Sequence, residues 1–381
     1  MALKDVYKME FKEWVDPEFG YTIKEPLVDF PCRTLYFTSN PFLDDNEHLI
    51  FAAVVDGVEN LYKLNYHTGE YIQITDEEDV HCTISYVDRK NNELYCRTHK
   101  KIFSVNLDTY EHKEVFNVKD LEDSSVDLIP SVAITCDGKY LISGYPIKYK
   151  MKNNDQEELI DNLYRLFKID LETKVQSDCR YTNYKVDHIQ CSSTDPTYFT
   201  YCAWGYWPTH QRAWGCTIDG EKGGPLGNEL PREHRTHEYF VGDGSKMAYH
   251  GKFFEMNNGV FRKYKDTFGI MDYDGKNDTV YVCPKNYKGA GHSCMSKDMK
   301  LIIGDGKLDG LGRISKLYLD DTDMTVKVTP IFTHNTSMTG NFNHPHPSIS
   351  KDKKLVVFVT DFNLTKTPKF YFIKLKDEDI K

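Results

Sequence analysis

A unit of roughly 50 residues recurs along the whole chain, and this repeat constrains the fold more than any other feature. Each copy has an aspartate in a polar turn, followed by a short apolar run in which Tyr, Phe, Val and Ile are frequent. These residue types favour β-strands. Periods of this length are typical of β-propellers, in which each repeat forms one blade. Seven aspartates mark the copies, at intervals of 43 to 58 residues: Asp45, Asp88, Asp137, Asp195, Asp243, Asp298 and Asp352.

Most copies continue into a second alternating run that ends in another polar turn. Residues 61–65 lead into His67-Thr68-Gly69 in this way. Two such runs joined by a tight turn are typical of a β-hairpin, and about four strands per copy make a blade. We therefore predict an all-β protein, a seven-bladed β-propeller, in which residues 8–26 add a strand to the last blade. The alternatives are an open stack of sheets or two smaller domains.

Only one stretch has a helical pattern. It lies in the longest interval, where Leu159, Ile160 and Leu163 of the segment Asp155–Tyr164 fall on one face of a helix. We predict an inserted loop with a short helix here. Because no stretch rich in Pro, Gly and Ser divides the chain, residues 1–381 are predicted to form a single domain.

Three histidines occupy the same position in successive copies. His237, His292 and His346 each lie six residues before the aspartate of their copy. Equivalent positions in neighbouring blades lie at one height around the axis of a propeller. The three imidazoles are therefore predicted to converge at one mouth of the central channel. His344 should join them, because residues i and i+2 of a strand face the same side.

Four imidazoles in one polar cavity suit a divalent transition metal, with one left over as a base. The prolines in the His-Pro-His-Pro run at 344–347 stiffen the backbone of the ligand pair. Asn341, five residues before His346, could add an oxygen ligand, although its spacing does not single it out. The alternative is that these histidines only hydrogen-bond to backbone across a wet channel.

Two arginines lie near predicted strands and aromatic residues. Arg33 lies where the inner strand of the first blade should begin, and Arg212 begins a later strand. A guanidinium group near a metal suits recognition of a carboxylate, so both are candidates for binding an acidic substrate. Trp204 could stack on a sugar ring or simply pack a loop. For each arginine, an ordinary surface salt bridge is the alternative.

Several motifs are similar to those of a known enzyme family. The run His-Asn-Thr-Ser at 334–337, followed by His-Pro-His-Pro-Ser at 344–348, resembles the cytoplasmic oligogalacturonate lyases of pectin-degrading bacteria. The run Thr-His-Glu-Tyr at 236–239, and His292 with Gly-Asp-Gly at 304–306, resemble the same family. The similarity is clear from about residue 185 onward, and the two histidine motifs are its most specific part.

The resemblance implies a seven-bladed propeller lyase with a Mn²⁺-type site. His292, His344 and His346 match the family's metal-binding histidines. The fourth ligand of the family is a glutamine, and its position is occupied here by Asn341, whose side chain is one methylene shorter.

The resemblance also implies catalytic roles. The family's catalytic base falls on His237, and its substrate-binding arginine falls on Arg212. A His-Glu-Gly run of the family is replaced here by Ala203-Trp204-Gly205, so a polar subsite becomes an aromatic one.

The implied reaction is β-elimination on a short uronic-acid oligosaccharide, with oligogalacturonate favoured. The base would take the proton at C5, the oxygen at C4 would leave, and the product would carry a 4,5 double bond. A metal on the carboxylate would stabilise the charge that develops. No serine nucleophile is needed, in keeping with the lack of a nucleophile-elbow motif.

Charge and composition argue against several other classes of protein. A net charge of −10 at pH 7 argues against non-specific binding of nucleic acid. No apolar run approaches the ~20 residues that span a bilayer. Ten scattered cysteines without a CxxC pair indicate free thiols in a reducing compartment. We therefore expect a cytoplasmic enzyme without nucleic-acid or membrane partners. The alternative is a non-catalytic propeller that binds carbohydrate or protein.

Overall fold

Strands account for nearly all of the regular structure, as the alternating apolar runs predict. A computed structural model describes residues 3–121, 123–129, 131–153, 156–204, 211–227, 233–288, 291–337, 343–362 and 367–380, with the backbone alone at 148–153, 156–162 and 261. Among these residues, helix is limited to three short 3₁₀ turns: Phe37–Ser39, Cys82–Ile84 and Val118–Asp120. In the part of the chain so described, no helix is long and apolar enough to cross a membrane.

The chain forms two compact units. The first comprises Met1–Glu78, Arg235–Met271 and Asp278–Lys381, and the second comprises Asp79–His234 with Asp272–Asn277. The prediction of a single domain over residues 1–381 stays a prediction.

The first segment of the chain contributes strands to two sheets of the first unit. Strands β1, β7, β6, β5 and β4 form one antiparallel sheet in that order, and β2 and β3 belong to another. The strands are β1 (Val6–Lys8), β2 (Phe11–Val15), β3 (Thr22–Pro26), β4 (Cys32–Thr34), β5 (His48–Val55), β6 (Val58–Asn65) and β7 (Glu70–Gln73).

The second unit contains three antiparallel sheets of four strands each, and in every sheet consecutive strands are neighbours: β8 to β11, β12 to β15 and β16 to β19. Their bounds are β8 (Tyr86–Asp88), β9 (Glu93–Arg97), β10 (Lys101–Asn106), β11 (His112–Asn117), β12 (Ala133–Ile134), β13 (Tyr140–Asn153), β14 (Gln156–Asp170), β15 (Gln176–Thr182), β16 (Lys185–Cys191), β17 (Tyr198–Trp204), β18 (Ala213–Thr217) and β19 (Gly223–Pro225).

The remaining strands complete the first unit. Strands β20 to β23 are neighbours in sequence order, and β25, β26, β28 and β29 form a second group, joined to the first by one parallel pair between Val282 and Thr325. The strands are β20 (Glu233–Val241), β21 (Lys246–Asn257), β22 (Val260–Asp272), β23 (Thr279–Val282), β24 (Tyr287–Lys288), β25 (Ser293–Met295), β26 (Ile302–Gly304), β27 (Lys307–Leu308), β28 (Leu311–Asp320), β29 (Thr325–Thr333), β30 (Ser348–Ile349), β31 (Leu355–Thr360) and β32 (Lys369–Lys374).

The last sheet is completed by strands from the start of the chain. Its order is β2, β3, β32, β31, β30, and β3 pairs antiparallel with β32 from Thr22 opposite Lys374 to Lys24 opposite Phe372. The prediction that residues 8–26 supply a strand here is confirmed. The apolar side of this sheet packs on the next one, because Ile23 and Ile373 share a buried cluster with Ile303 of β26.

The aspartates of the repeat form turns through their own side chains. Asp298 accepts a hydrogen bond from the Ser296 hydroxyl at 2.6 Å and another from the backbone N–H of Lys300 at 3.3 Å. Asp137 and Asp352 make the same two types of bond. An Asp side chain that bonds to backbone two residues on stabilises a tight turn between strands. This explains why an aspartate marks the copies.

The predicted helix at Asp155–Tyr164 is wrong. Asp155 lies outside the described residues, but Gln156 onward belongs to β14, which pairs with β13 along its whole length from Asn153 opposite Gln156 to Tyr140 opposite Asp170. A helix of about ten residues is marginal on its own. Pairing with β13 instead satisfies the backbone of β14 with a partner strand, so tertiary context overrides three apolar residues at helical spacing.

Candidate metal and catalytic site

Three of the predicted histidines form one cluster in the first unit. A ring nitrogen from each of His292, His344 and His346 lies within 4.8 Å of the others. The Nε2 atoms of His292 and His346 are 3.0 Å apart. His292 and His346 are buried, and His344 is half-buried. Three imidazole nitrogens this close can hold a divalent transition metal.

The cluster lies where the chain enters two strands of different sheets. His292 directly precedes β25, while His344 and His346 precede β30. His346 has a left-handed φ of 43°, between two prolines. A non-glycine residue in this region is strained, and such strain persists only where the surroundings enforce it. The flanking prolines limit the alternatives open to this backbone.

His237 stands beside the cluster. It lies on β20 with a φ of 59°, is half-buried, and its ring centroid is 4.3 Å from that of His292. The structure therefore brings together the three histidines predicted from equal phase along the repeat and His344, predicted from strand alternation. The His237 side chain is close enough to the cluster to act on a substrate held there.

Burial keeps the imidazole of His346 neutral. Burial lowers the pKa of His346 well below its ordinary value, and the neighbouring His292 adds to this effect. A neutral imidazole has a free lone pair, which is the form that binds a metal.

Asp305, which follows β26, is the main residue that sequence reasoning missed. Its Oδ2 lies 3.0 Å from Nδ1 of His292, within hydrogen-bond distance. The Gly-Asp-Gly run was part of the family resemblance, but nothing in the spacing assigns its aspartate a role. Burial raises the pKa of Asp305, and the surrounding histidines oppose that shift.

Aromatic rings line one side of the cluster, and they too were not predicted. The Tyr36 ring centroid is 4.9 Å from that of His346, and the Phe37 centroid is 5.6 Å from that of His292. Both residues belong to the loop around the 3₁₀ turn after β4. These rings exclude water from the imidazoles and so strengthen their electrostatic interactions.

A further buried histidine, His250, lies close to the cluster. Nε2 of His250 and the hydroxyl of Tyr239 each lie 3.0 Å from the Ser293 hydroxyl. The His250 ring centroid is 6.1 Å from that of His237. Burial lowers the pKa of His250 to about 4, so it is a neutral hydrogen-bonding residue at pH 7. It is not in phase with the other histidines, and the repeat gave no signal for it.

The His-Asn-Thr-Ser motif has a structural role. The Thr336 backbone N–H donates to Nδ1 of His334 at 3.1 Å, and the Thr360 hydroxyl donates to the His334 carbonyl at 2.9 Å. His334 is buried. The motif thus ties the chain after β29 to the end of β31.

The two predicted arginines have different surroundings. Arg33 on β4 donates from Nε and Nη2 to the two carboxylate oxygens of Glu59 at 3.0 and 2.9 Å. In the second unit, the Arg212 guanidinium lies 5.4 Å from the ring centroid of Trp204, within cation–π range. Trp204 is 47% exposed, so part of its ring is open to a ligand. Asn341 lies outside the described residues.

Comparisons with known proteins agree with one another. A family model described as Oligogalacturonate lyase matches residues 8–379. Among curated relatives, the oligogalacturonide lyase of Pectobacterium atrosepticum is 26% identical and the oligogalacturonate lyase of Dickeya dadantii is 24% identical. Each match is over 377 residues and covers 92% of both chains.

Solved structures give the same result for the fold. A structure described as oligogalacturonate lyase in complex with manganese matches with a TM-score of 0.82 at 20% identity, covering 100% of both chains. The oligogalacturonate lyase of Vibrio parahaemolyticus matches with a TM-score of 0.81, also at 20% identity and full coverage. The all-β prediction is confirmed, and the fold is close to that of these two structures.

Proposed function

The chain belongs to the oligogalacturonate lyase family and is a lyase, and we propose that it cleaves short oligogalacturonates by β-elimination. The observation that carries this proposal is the placing of His237, with its ring centroid 4.3 Å from that of His292, beside three histidines able to share one ion. A base next to a cation site is what removal of a proton α to a carboxylate requires.

We propose that His292, His344 and His346 hold a divalent metal, with Mn²⁺ favoured because a structure of similar fold is described as a complex with manganese. The donor set fits, since neutral imidazoles bind divalent transition metals. Asn341 is proposed as an additional oxygen ligand. When bound, the ion supplies positive charge that stabilises the carboxylate as it becomes enolate-like.

In the proposed reaction His237 takes the proton from C5 of the uronate. The electrons of the C5–H bond form the C4–C5 double bond, and the bond between C4 and its glycosidic oxygen breaks. The departing oxygen takes a proton from solvent and becomes a hydroxyl of the shortened sugar, and His237 returns its own proton to solvent. The other product is a 4,5-unsaturated uronide, and no water is consumed.

Arg212 and Trp204 are proposed to bind substrate. Guanidinium is the side chain best matched to a carboxylate, and an exposed indole can stack on a sugar ring. Arg33 remains a predicted substrate-binding residue, and it would have to exchange its two bonds with Glu59 for bonds to a uronate.

We also propose that the sheets make seven blades of one propeller domain over residues 1–381. Among the described residues, each of seven groups of antiparallel strands contains one of the seven repeat aspartates at the turn between two of its strands. A cytoplasmic location is proposed because all ten cysteines are free thiols.

A lyase assay tests the function. Di- and trigalacturonate are mixed with the protein and either Mn²⁺ or EDTA, and the ultraviolet absorbance of the unsaturated product is followed. We expect absorbance to grow with Mn²⁺, to stop with EDTA, and to fall at least ~100-fold in His237→Ala, the usual contribution of a general base. The matched control is His67→Ala, which changes an exposed histidine of a turn and should keep full activity.

The alternatives have distinct outcomes in this assay. Binding of galacturonate oligomers without any absorbance change would favour a non-catalytic carbohydrate-binding protein. Absorbance from a different uronide alone would keep the chemistry and change the substrate. Full activity in His237→Ala would refute the proposed base.

A further inference from the structure

Asp305 contacts both buried histidines of the cluster. Its Oδ1 accepts the backbone N–H of His292 at 2.5 Å, and its Oδ2 lies 3.0 Å from Nδ1 of the same residue. Oδ2 also accepts the backbone N–H of His346 at 3.3 Å. One carboxylate is thus bound to residues that enter two neighbouring sheets, because His292 precedes β25 and His346 precedes β30.

These bonds determine which nitrogen of His292 carries the proton. Two backbone N–H groups already point at the carboxylate, which fits the ionised, acceptor-only form of Asp305. Nδ1 of His292 must then be the donor, so its Nε2 carries the lone pair. That Nε2 faces Nε2 of His346 at 3.0 Å, on the side where the cluster would hold an ion.

The surrounding backbone is shaped to admit this carboxylate. A Cβ atom at Gly291 would lie 1.8 Å from Oδ1 of Asp305. Only glycine leaves the space that Asp305 fills, and the Asp305 side chain is fully buried, with 0% of its surface exposed. The carboxylate is therefore held in one place rather than free to turn.

We propose that Asp305 is a positioning residue for the metal site: it fixes the Nδ1–H tautomer of His292 and anchors the backbone of His346, so that both imidazoles present lone pairs to one ion. This inference rests on the proposed function, since it concerns the ligands assigned there. A carboxylate behind a histidine ligand also raises the electron density on the ligating nitrogen.

The first test measures the affinity for Mn²⁺ by calorimetry in the wild type and in Asp305→Asn. The amide places an N–H₂ group where a histidine N–H now donates, which favours the wrong tautomer of His292. We expect the dissociation constant to rise 10- to 100-fold. We also expect excess Mn²⁺ to restore most of kcat, as it would not if the residue acted on the substrate directly. Asp298→Asn is the control, because Asp298 is a turn aspartate of the same copy that pairs with Lys353.

The outcomes separate the two proposals. An unchanged dissociation constant in Asp305→Asn would overturn the positioning role and leave the metal site intact. A wild type that binds no Mn²⁺ would overturn the metal site itself. Circular dichroism of the metal-free proteins checks that each variant has folded.

A measurement on the wild type covers the case in which Asp305→Asn does not fold. In protein labelled with ¹⁵N-histidine and free of metal, the ring of His292, assigned with His292→Gln, should show its proton on Nδ1. A proton on Nε2 would overturn the proposal.

Discussion

At the scale of single residues, histidine serves this region in three different environments. His237 is half-buried and adjoins the cluster, His346 is buried within it, and His250 is enclosed behind it. The differences arise from burial and hydrogen bonding, because the residue type is the same. Two of these histidines, His237 and His346, also have left-handed backbones. Strain of this kind is often concentrated at functional sites.

His250 should make stability depend on pH. Its pKa is about 4 in the folded protein, against ~6.5 in an unfolded chain, so the unfolded state binds more protons between these values. The contribution of His250 to the free energy of unfolding is therefore complete above pH ~6.5 and decreases as the pH falls toward 4. The free energy of unfolding can be measured with urea at pH 7 and at pH 5. Between these pH values it should fall by ~2 kcal/mol less in His250→Gln than in the wild type.

An exposed histidine provides the control for this experiment. His67→Gln makes the same substitution at a residue exposed in a turn, so it removes a histidine without removing a buried one. If His250→Gln and the wild type lose the same free energy between pH 7 and pH 5, His250 is not a buried neutral imidazole.

At the scale of elements, the sheets depend on pairings that are distant in sequence. Strand β3 is the clearest case, because it lies between β2 and β32 and, together with β2, gives the last sheet its fourth and fifth strands. Ile23 of β3 is opposite Trp14 on one side and Ile373 on the other, and is fully buried.

Truncation of Ile23 should therefore destabilise the whole first unit. We expect Ile23→Ala to lower the free energy of unfolding by about 2–4 kcal/mol, the usual cost of removing a large aliphatic side chain from a core. Val15→Ala, on β2 of the same hairpin, is the control, because Val15 is 63% exposed and should change stability by less than ~0.5 kcal/mol. Chemical denaturation measures both, and equal effects would show that β3 is not anchored in the core.

Much of this architecture could be predicted from the sequence because the repeat is periodic. The aspartate turns and alternating runs predicted the all-β class. Equal phase predicted three of the histidines, and strand alternation added His344. Asp305 and Phe37 could not be predicted, because their positions depend on how loops pack across sheets. The helix at Asp155–Tyr164 failed for a related reason: its local pattern is helical, but β13 offers a partner along its whole length.

At the scale of the whole molecule, nine of the ten cysteines share the same environment, because they are buried. Nine are buried and Cys136 is half-buried, and all ten are free. Burial raises the pKa of the Cys32 thiol and of the Cys96 thiol to about 12. Reactivity requires an accessible thiolate, so the enclosed thiols should be inert in the folded protein.

Thiol labelling under native conditions should therefore modify one cysteine. We expect a chromogenic disulfide reagent to react with Cys136 alone in the folded protein, slowly, because burial also raises the pKa of this thiol. All ten should react after unfolding. Cys136→Ser should remove the native signal and leave nine thiols in denaturant, whereas rapid labelling of several native thiols would contradict the burial seen here.

The pairing of β3 with β32 has a consequence for how the protein is made. The paired residues Thr22 and Lys374 are about 350 residues apart, and a ribosome adding roughly 5–20 residues per second needs about 20–70 seconds to cover that distance. For most of that time β3 waits without its partner, because the last sheet can be finished only after β32 has been made. Until then β3 exposes an unpaired strand edge, the kind of surface that recruits chaperones or other nascent chains.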